Sequence, residues 1–347
     1  MKTFLKKKRK KKYRKKRVTI KYNFKVKNNI NYYKIFIIFI LMCCFFLINK
    51  YNYNTFNNNS NKSSNYNINK SNSSSYFSCF VTMAKLENKY IRELIEHYKK
   101  LGLDKFFIGD DNSLNGEKIS DVLQDYIDEG YIEIFDIREQ NFTQSYFFEF
   151  SFNKYKSKCK WMLYFDVDEY LEFVDKNITI NEYLSQDRFN KCEAIKVNWV
   201  MYKNENALYY ENKPLEERFP TPTYVKEDIR TVKSIVRNDS SRNPWVRKSA
   251  PHEPASGLYT CNSIGNYSPF NYGMIDPPVL SYCYLKHYNY KSVEEYVFKI
   301  KKGLPNGEKY NLDDYMKLYF ERNNYSEVKL ELFEKMLNKT FEQLHKK

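Results

Sequence analysis

From residue 76 onward, apolar positions fall into two rhythms, short continuous runs and helical spacings, which alternate along the chain. Ser78 to Met83 is a β-type run. Ile91, Leu94, Ile95, Tyr98 and Leu101 then recur at helical spacing, with Gly102 placed as a C-cap. Phe106-Phe107-Ile108 reads as a second strand. Ile119, Val122, Leu123, Tyr126 and Ile127 mark a second amphipathic helix, closed by Gly130. Tyr131 to Phe135 is a third strand and Gln144 to Tyr155 an aromatic-rich helix. A fourth run, Trp161-Met162-Leu163-Tyr164-Phe165, is apolar throughout, as in a strand buried on both faces. The order β-α-β-α-β-α-β predicts an α/β fold with a doubly wound sheet and helices on both faces. Ala194 to Tyr202, Val232 to Arg237 and Tyr282 to Leu285 suggest further strands. Pro244 to Pro278 reads as loop-rich. Ser292 can cap a helix through Val293, Tyr296, Val297 and Ile300, and Leu312 to Leu344 carries helical patterning.

The fourth strand ends in three carboxylates, Asp166, Asp168 and Glu169, and unpaired buried carboxylates cost several kcal/mol. Alternation along an extended chain puts Asp166 and Asp168 on one side, about 7 Å apart. Such a pair suits two hard oxygen ligands of one divalent cation, or merely an acidic turn after a core strand. In doubly wound sheets ligands bind beyond the carboxyl ends of the strands, where strand order reverses. Glu87, Asp110-Asp111 and Asp166/Asp168 all stand at or just after strand ends, so three acidic strand ends meet in one crevice.

Charge is unevenly distributed. Of the 58 Lys and Arg, 16 lie in residues 1–34, where no acid stands; the remaining 42 balance the 42 Asp and Glu. The basicity is therefore a tail, and nucleic acid is not the expected partner. Fourteen apolar residues follow, Ile35 to Ile48, about 21 Å of helix against a hydrocarbon core of ~30 Å. Tyr32, Tyr33 and Lys34 can extend the span into the interface. Asn49-Lys50-Tyr51 offers no small-residue cleavage site, so residues 35–48 read as an uncleaved signal anchor. By the positive-inside rule, 1–34 is a cytoplasmic tail and everything after Ile48 is lumenal or extracellular. Residues 49–75, almost entirely Asn, Ser, Lys and Tyr, read as a disordered stem, and 76–347 as the folded body. Five cysteines in the body include no Cys-x-x-Cys; one or two disulfides can form with at least one thiol left over, in pairs the sequence does not specify. Missing glycine motifs exclude a phosphate-loop ATPase, a dinucleotide-binding fold and a nucleophile-elbow hydrolase.

Several ordered motifs over residues 77–305 resemble the family 92 glycosyltransferases and related family 2-like sugar transferases with the GT-A fold. They are Glu87 through Gly102, the Gly109–Ser113 turn, Gln144, Trp161 to Leu171, Trp199, Glu217-Arg218-Phe219, Lys233 to Val236, and His287-Tyr288 with Lys291-Ser292-x-Glu294-Glu295, Lys299 and Gly303. Departures are Leu94 where the family often has Trp, the His97-Tyr98 order, and Asn115 in place of an acid. The resemblance implies a GT-A-like mixed sheet behind a single transmembrane helix. It also implies a nucleotide-sugar donor, a glycan or other hydroxyl acceptor, an inverting reaction, and Mn²⁺ or Mg²⁺.

On that basis Asp166, Asp168 and His287 are the expected metal ligands, with Asp168 the foremost catalytic residue. Glu87, Asp111, Ser113, Asp166 and Lys233 are expected at the donor, and Lys233 and Arg218 can meet phosphates. Among Glu216, Glu217, Glu253 and Asp228, Glu217 is the candidate general base. His97 reads as a half-buried helix residue. Two other readings stand beside this one. The first is a haloacid dehalogenase-like phosphotransferase with Asp166 as nucleophile, although here three strands precede the acidic one. The second is a catalytically inactive anchored sugar-binding protein, to which the 33 Tyr would contribute stacking surfaces.

Overall fold

The computed structural model describes residues 76–323 except 141, 205–206, 239–242, 246–251, 255–256 and 304–311, together with residue 335. The basic tail, the anchor at 35–48, the stem and the helical pattern beyond 323 lie outside the described residues. Among those described, no helix is long and apolar enough to cross a membrane.

The first half is built as its pattern predicts. Strands β1 (Tyr76–Ala84), β2 (Lys105–Asp110), β3 (Ile132–Asp136) and β4 (Cys159–Tyr164) alternate with helices α1 (Ile91–Lys100), α2 (Ser120–Asp128) and α3 (Gln144–Tyr155). β1 pairs in parallel with β2 on one side and β4 on the other, and β2 continues to β3. The strand order therefore reverses between β1 and β4. Side chains of β1 alternate between two layers, as a period of two requires. Phe80 and Ala84 pack with Leu94 and Tyr98 of α1. Cys79, Val81 and Met83 pack with Phe147, Phe148 and Phe152 of α3 on the opposite face. Gly102 follows α1 at φ +78° and Gly130 follows α2 at φ +72°, the left-handed positions that end helices at least strain for glycine.

The second half extends the sheet with mixed polarity. Its elements are β5 (Glu169–Phe173), α4 (Ile180–Leu184), β6 (Ala194–Tyr202), α5 (Leu215–Arg218), β7 (Pro222–Thr223), α6 (Lys226–Ile229), β8 (Val232–Arg237), β9 (Thr260–Asn262), β10 (Cys283–His287), α7 (Val293–Lys302) and α8 (Leu312–Asn323). The sheet order is β3-β2-β1-β4-β8-β6-β10-β5, with β7 and β9 also on β6. β8 runs antiparallel to β4 and β6, β10 parallel to β6, and β5 antiparallel to β10. The acidic segment is thus a crossover between strands on opposite sides of β8 and β6, rather than a simple strand end. The Tyr98 hydroxyl fastens β5 to α1, donating to the Glu169 carbonyl and accepting from the Leu171 N–H, both at 2.9 Å. Ser292 caps α7 in a capping box with Glu295. Disulfides join Cys79 to Cys159 and Cys192 to Cys261, leaving Cys283 as a buried thiol.

Candidate active site

Beyond the carboxyl ends of β1 and β4, at the strand reversal, opens a cleft of about 400 Å³. Glu87, Asp111, Asp166, Asp168, Lys233 and His287 all line it. The first two come from the loops after β1 and β2, the aspartates from the β4–β5 crossover, Lys233 from β8, and His287 from the end of β10. Register explains why β10 delivers His287 here: it pairs with Glu169 of β5 and Met201 of β6, beside the acidic turn.

Two expected residues are elsewhere. Ser113 is exposed on the loop after β2 and does not line the cleft. Glu217 is also outside the lining; its side chain is 61% exposed and its carboxylate lies 3.9 Å from Lys213. The other carboxylates considered for a base are engaged away from the cleft. Glu216 pairs with Lys286 at 2.7 Å, Asp228 with Arg322 at 3.0 Å, and Glu253 with Lys196 at 2.9 Å. Arg218 is buried against Glu295, which also accepts from the Tyr90 hydroxyl at 2.7 Å. It is a brace for α7 rather than a phosphate contact. His97 Nε2–H donates to the Leu171 carbonyl at 2.9 Å, the half-buried structural role expected of it.

Each cleft carboxylate has its own ammonium. Asp166 Oδ2 lies 2.8 Å from Lys233 Nζ, and its other oxygen accepts from Gln144. Asp168 Oδ2 is 2.9 Å from Lys299 and 3.8 Å from Lys291, while Oδ1 faces His287 Nε2 at 3.5 Å. Glu87 pairs with Lys302, and Asp111 lies 3.8 Å from Lys85. Glu169 is fully buried behind the crossover and accepts the Asp166 N–H at 3.0 Å, which fixes the turn. Burial pushes the Asp168 carboxyl up, but Lys299, His287 and Lys291 together hold it well below the usual carboxylate range. Asp166 is likewise brought down by Lys233 against its burial. Glu169 goes the other way: burial raises it well above the ordinary value despite Lys233. Burial keeps His287 below the usual imidazole value, with Asp168 offsetting part of the effect.

Lys85, Lys299, Lys302, Trp199 and His252 also line the cleft. Lys299 and Lys302 stand one turn apart on α7, and His252 adjoins Lys233 on the wall formed by β8. Lys299 is one of the motif positions that carry the family resemblance, and Lys302 follows it by one helical turn; His252 sits in a loop with no pattern at all.

The donor set was expected to hold a divalent cation. Among the described residues, however, no three His, Cys, Asp or Glu side chains converge closely enough to do so. Asp168 and His287 approach each other, while Asp166 is turned toward Lys233 and Gln144. The arrangement does not fit a ready metal centre: ammonium groups stand where a cation would bind.

Residues 74–262 match the profile of the family described as Glycosyltransferase family 92. A glycosyltransferase family 92 protein of Ricinus communis is 29% identical over 105 residues, 29% of this chain. The matched stretch spans only 17% of that relative's length. Among solved structures, S. aureus TarS residues 1–349 align over 47% of this chain and 47% of theirs, at 10% identity and TM-score 0.29. A second S. aureus TarS structure aligns over 40% of this chain and 23% of its own, at 11% identity and TM-score 0.27.

Proposed function

The chain belongs to glycosyltransferase family 92, and we propose that it transfers a sugar from a nucleotide-sugar donor to a hydroxyl of a glycan or other acceptor. The observation that carries this reading is the cleft at the strand reversal, where Glu87, Asp111, Asp166 and Asp168 meet four lysines. In the reaction the bond from the sugar's anomeric carbon to the phosphate oxygen breaks, and the electron pair leaves with the nucleoside diphosphate. A bond from the acceptor oxygen to the same carbon forms on the opposite face, inverting the configuration.

The developing charge on the diphosphate needs fixed cations in a site of low dielectric. Lys299 and Lys302 supply them in our mechanism, exchanging Asp168 and Glu87 for phosphate oxygens as the donor arrives. Lys233 contributes a third positive charge; burial works against its ammonium, yet Asp166 and Glu169 hold its pKa above the ordinary lysine value. Glu87 and Asp111, on the β1–β2 side, suit the ribose hydroxyls. Because the described carboxylates and His287 do not form a metal centre, the Mn²⁺ or Mg²⁺ implied by the resemblance takes no step in this mechanism.

The acceptor proton needs a base, and none of the four carboxylates considered from sequence lines the cleft. We assign the role to His252, on the wall beside Lys233. Its Nδ1 lies 3.3 Å from the Val232 carbonyl, which fits an Nδ1–H tautomer with Nε2 free to take a proton. Burial, and then Lys233, push its pKa down to about 4. A diphosphate drawing on Lys233 would raise it toward the working range of a base.

We further propose a single-pass type II membrane protein with residues 35–48 as anchor and the body in a lumen or outside the cell. Two disulfides within the body favour an oxidising compartment.

The test is turnover of UDP- and GDP-sugars by the full-length chain, with and without Lys299→Met/Lys302→Met. Donor cleavage or transfer that disappears in the variant is the expected result. Phosphatase activity on simple phosphate esters without any sugar donor would point instead to the phosphotransferase reading. If no nucleotide sugar binds, the proposed activity is wrong.

A further inference from the structure

On the β8 side of the cleft, residues 269–273 form a loop that is clamped from below and aromatic above. Glu253 is 2% exposed, and its carboxylate accepts the N–H of Asn271 at 3.1 and 3.2 Å and that of Gly273 at 2.6 Å. Lys196, fully buried, donates to Glu253 at 2.9 Å and to the Pro269 carbonyl at 2.8 Å. The Gly273 carbonyl accepts the Val232 N–H at 3.0 Å. A buried ion pair thus fixes the loop at several points of its backbone.

What the clamp displays is two rings facing solvent. Phe270 is 41% exposed and Tyr272 81% exposed. Their centroids are 5.2 Å apart with planes at 64°, so they form an exposed corner. Tyr272 has φ +50°, a conformation uncommon for a large residue and costing on the order of 1 kcal/mol. Neither the exposed apolar area nor the backbone strain contributes to the fold. Rigidly held aromatic rings in water are a preorganised contact surface, because their ordering cost is met before a ligand arrives.

Position identifies the ligand. A Cβ on Gly273 would lie 2.8 Å from His252 Cβ, so the loop touches the residue that lines the cleft's β8 wall. Asp111, at the proposed nucleoside end, follows β2, three strand spacings away through β1 and β4, or about 14 Å. The loop therefore packs against the cleft's β8 wall, on the side away from the nucleoside. It adjoins the residue to which we give the acceptor's proton.

We propose that Phe270 and Tyr272 form the acceptor subsite, taking the apolar C–H face of a pyranose ring while its hydroxyl points to His252. This rests on the transferase reading for the word acceptor, but not for the binding of sugar. The loop's polar backbone is already occupied by Glu253, so recognition here is by stacking, and it would tolerate several pyranoses with one C–H face.

Saturation-transfer NMR on the full-length chain, with methyl β-D-glucopyranoside and methyl β-D-galactopyranoside as probes, tests the assignment. Transfer to the pyranose ring protons is expected in the wild type and in Tyr272→Phe. It should fall at least fivefold in Tyr272→Ala and further in Phe270→Ala/Tyr272→Ala, while UDP and GDP affinities stay within twofold. Tyr272→Ala alters so exposed a side chain that it carries the test should the double variant not fold. Equal transfer in the alanine variants, or none in the wild type, overturns the proposal. Ring-dependent pyranoside binding in a chain that binds no nucleotide or nucleotide sugar would leave the sugar site standing and remove the transferase reading.

Discussion

Removing the Lys196 ammonium should unfold more of this protein than any exposed substitution. Lys196 and Glu253 are 0% and 1% exposed at the side chain and 2.9 Å apart. In Lys196→Met the Glu253 carboxylate keeps the N–H groups of Asn271 and Gly273 but loses the cation paired with it, and the Pro269 carbonyl loses its donor. Breaking a buried pair on one side costs about 3–5 kcal/mol, and the orphaned carbonyl adds about 1. Against a typical total of about 5–15 kcal/mol, that is a large share. With a urea slope near 3 kcal/mol/M, the denaturation midpoint should fall by about 1–2 M. The fluorescence of Trp161 and Trp245, both fully buried, reports the transition. Lys196→Met/Glu253→Gln removes both charges and should recover at least half of the loss, because the net worth of a buried pair is small although breaking it is expensive. A midpoint shift below about 0.3 M in Lys196→Met would refute the reasoning, and with it the claim that this pair clamps the aromatic loop.

Four other outcomes are expected. Lys299→Met should weaken donor binding about tenfold, read as KM or by titration with UDP, with smaller change in Lys317→Met on exposed α8 surface. His252→Ala should lower kcat by about 10²–10⁴-fold with donor affinity retained, and His252→Gln should not rescue it. Stability should fall as pH drops from 6.5 to 4, because burial, partly offset by the bond to the Leu171 carbonyl, lowers His97 to about 4 in the folded chain. The unfolded chain then binds a proton that the native one refuses, so this contribution is intact above pH 6.5 and lost toward pH 4. In His97→Gln that slope should shrink by about 3 kcal/mol across the window, measured by urea titration at each pH. Cys79→Ala/Cys159→Ala opens a loop of 80 residues and should cost about 4 kcal/mol, a pronounced fall in Tm by calorimetry.

How much of this was legible depends on how local each determinant is. The runs at Phe106–Ile108 and Trp161–Phe165 declare buried strands by themselves, and the helical spacings between them fix a βα alternation, so the strand reversal could be foreseen. Asp166 and Asp168 followed from it. β5 was missed because Glu169-Tyr170-Leu171-Glu172-Phe173 becomes a strand only through β10, which pairs with it from far downstream. Glu217 drew attention as an acid in a recognisable motif, but α5 turns it toward Lys213 and solvent. The same motif's Arg218 is buried against Glu295. Phe270 and Tyr272 were invisible within a loop-rich stretch, since exposure is a tertiary property. The deepest gap concerns charge. The carboxylates of the cleft come largely from the first half of the body, where sequence order is easy to read. Most of their cations arrive on β8 and α7, from the half where it is not. An acidic strand end therefore looked like a metal centre in isolation. Its real electrostatic state depends on Lys233, Lys299 and Lys302, and substitutions in that second half should tune donor binding while leaving the acidic turn itself unchanged.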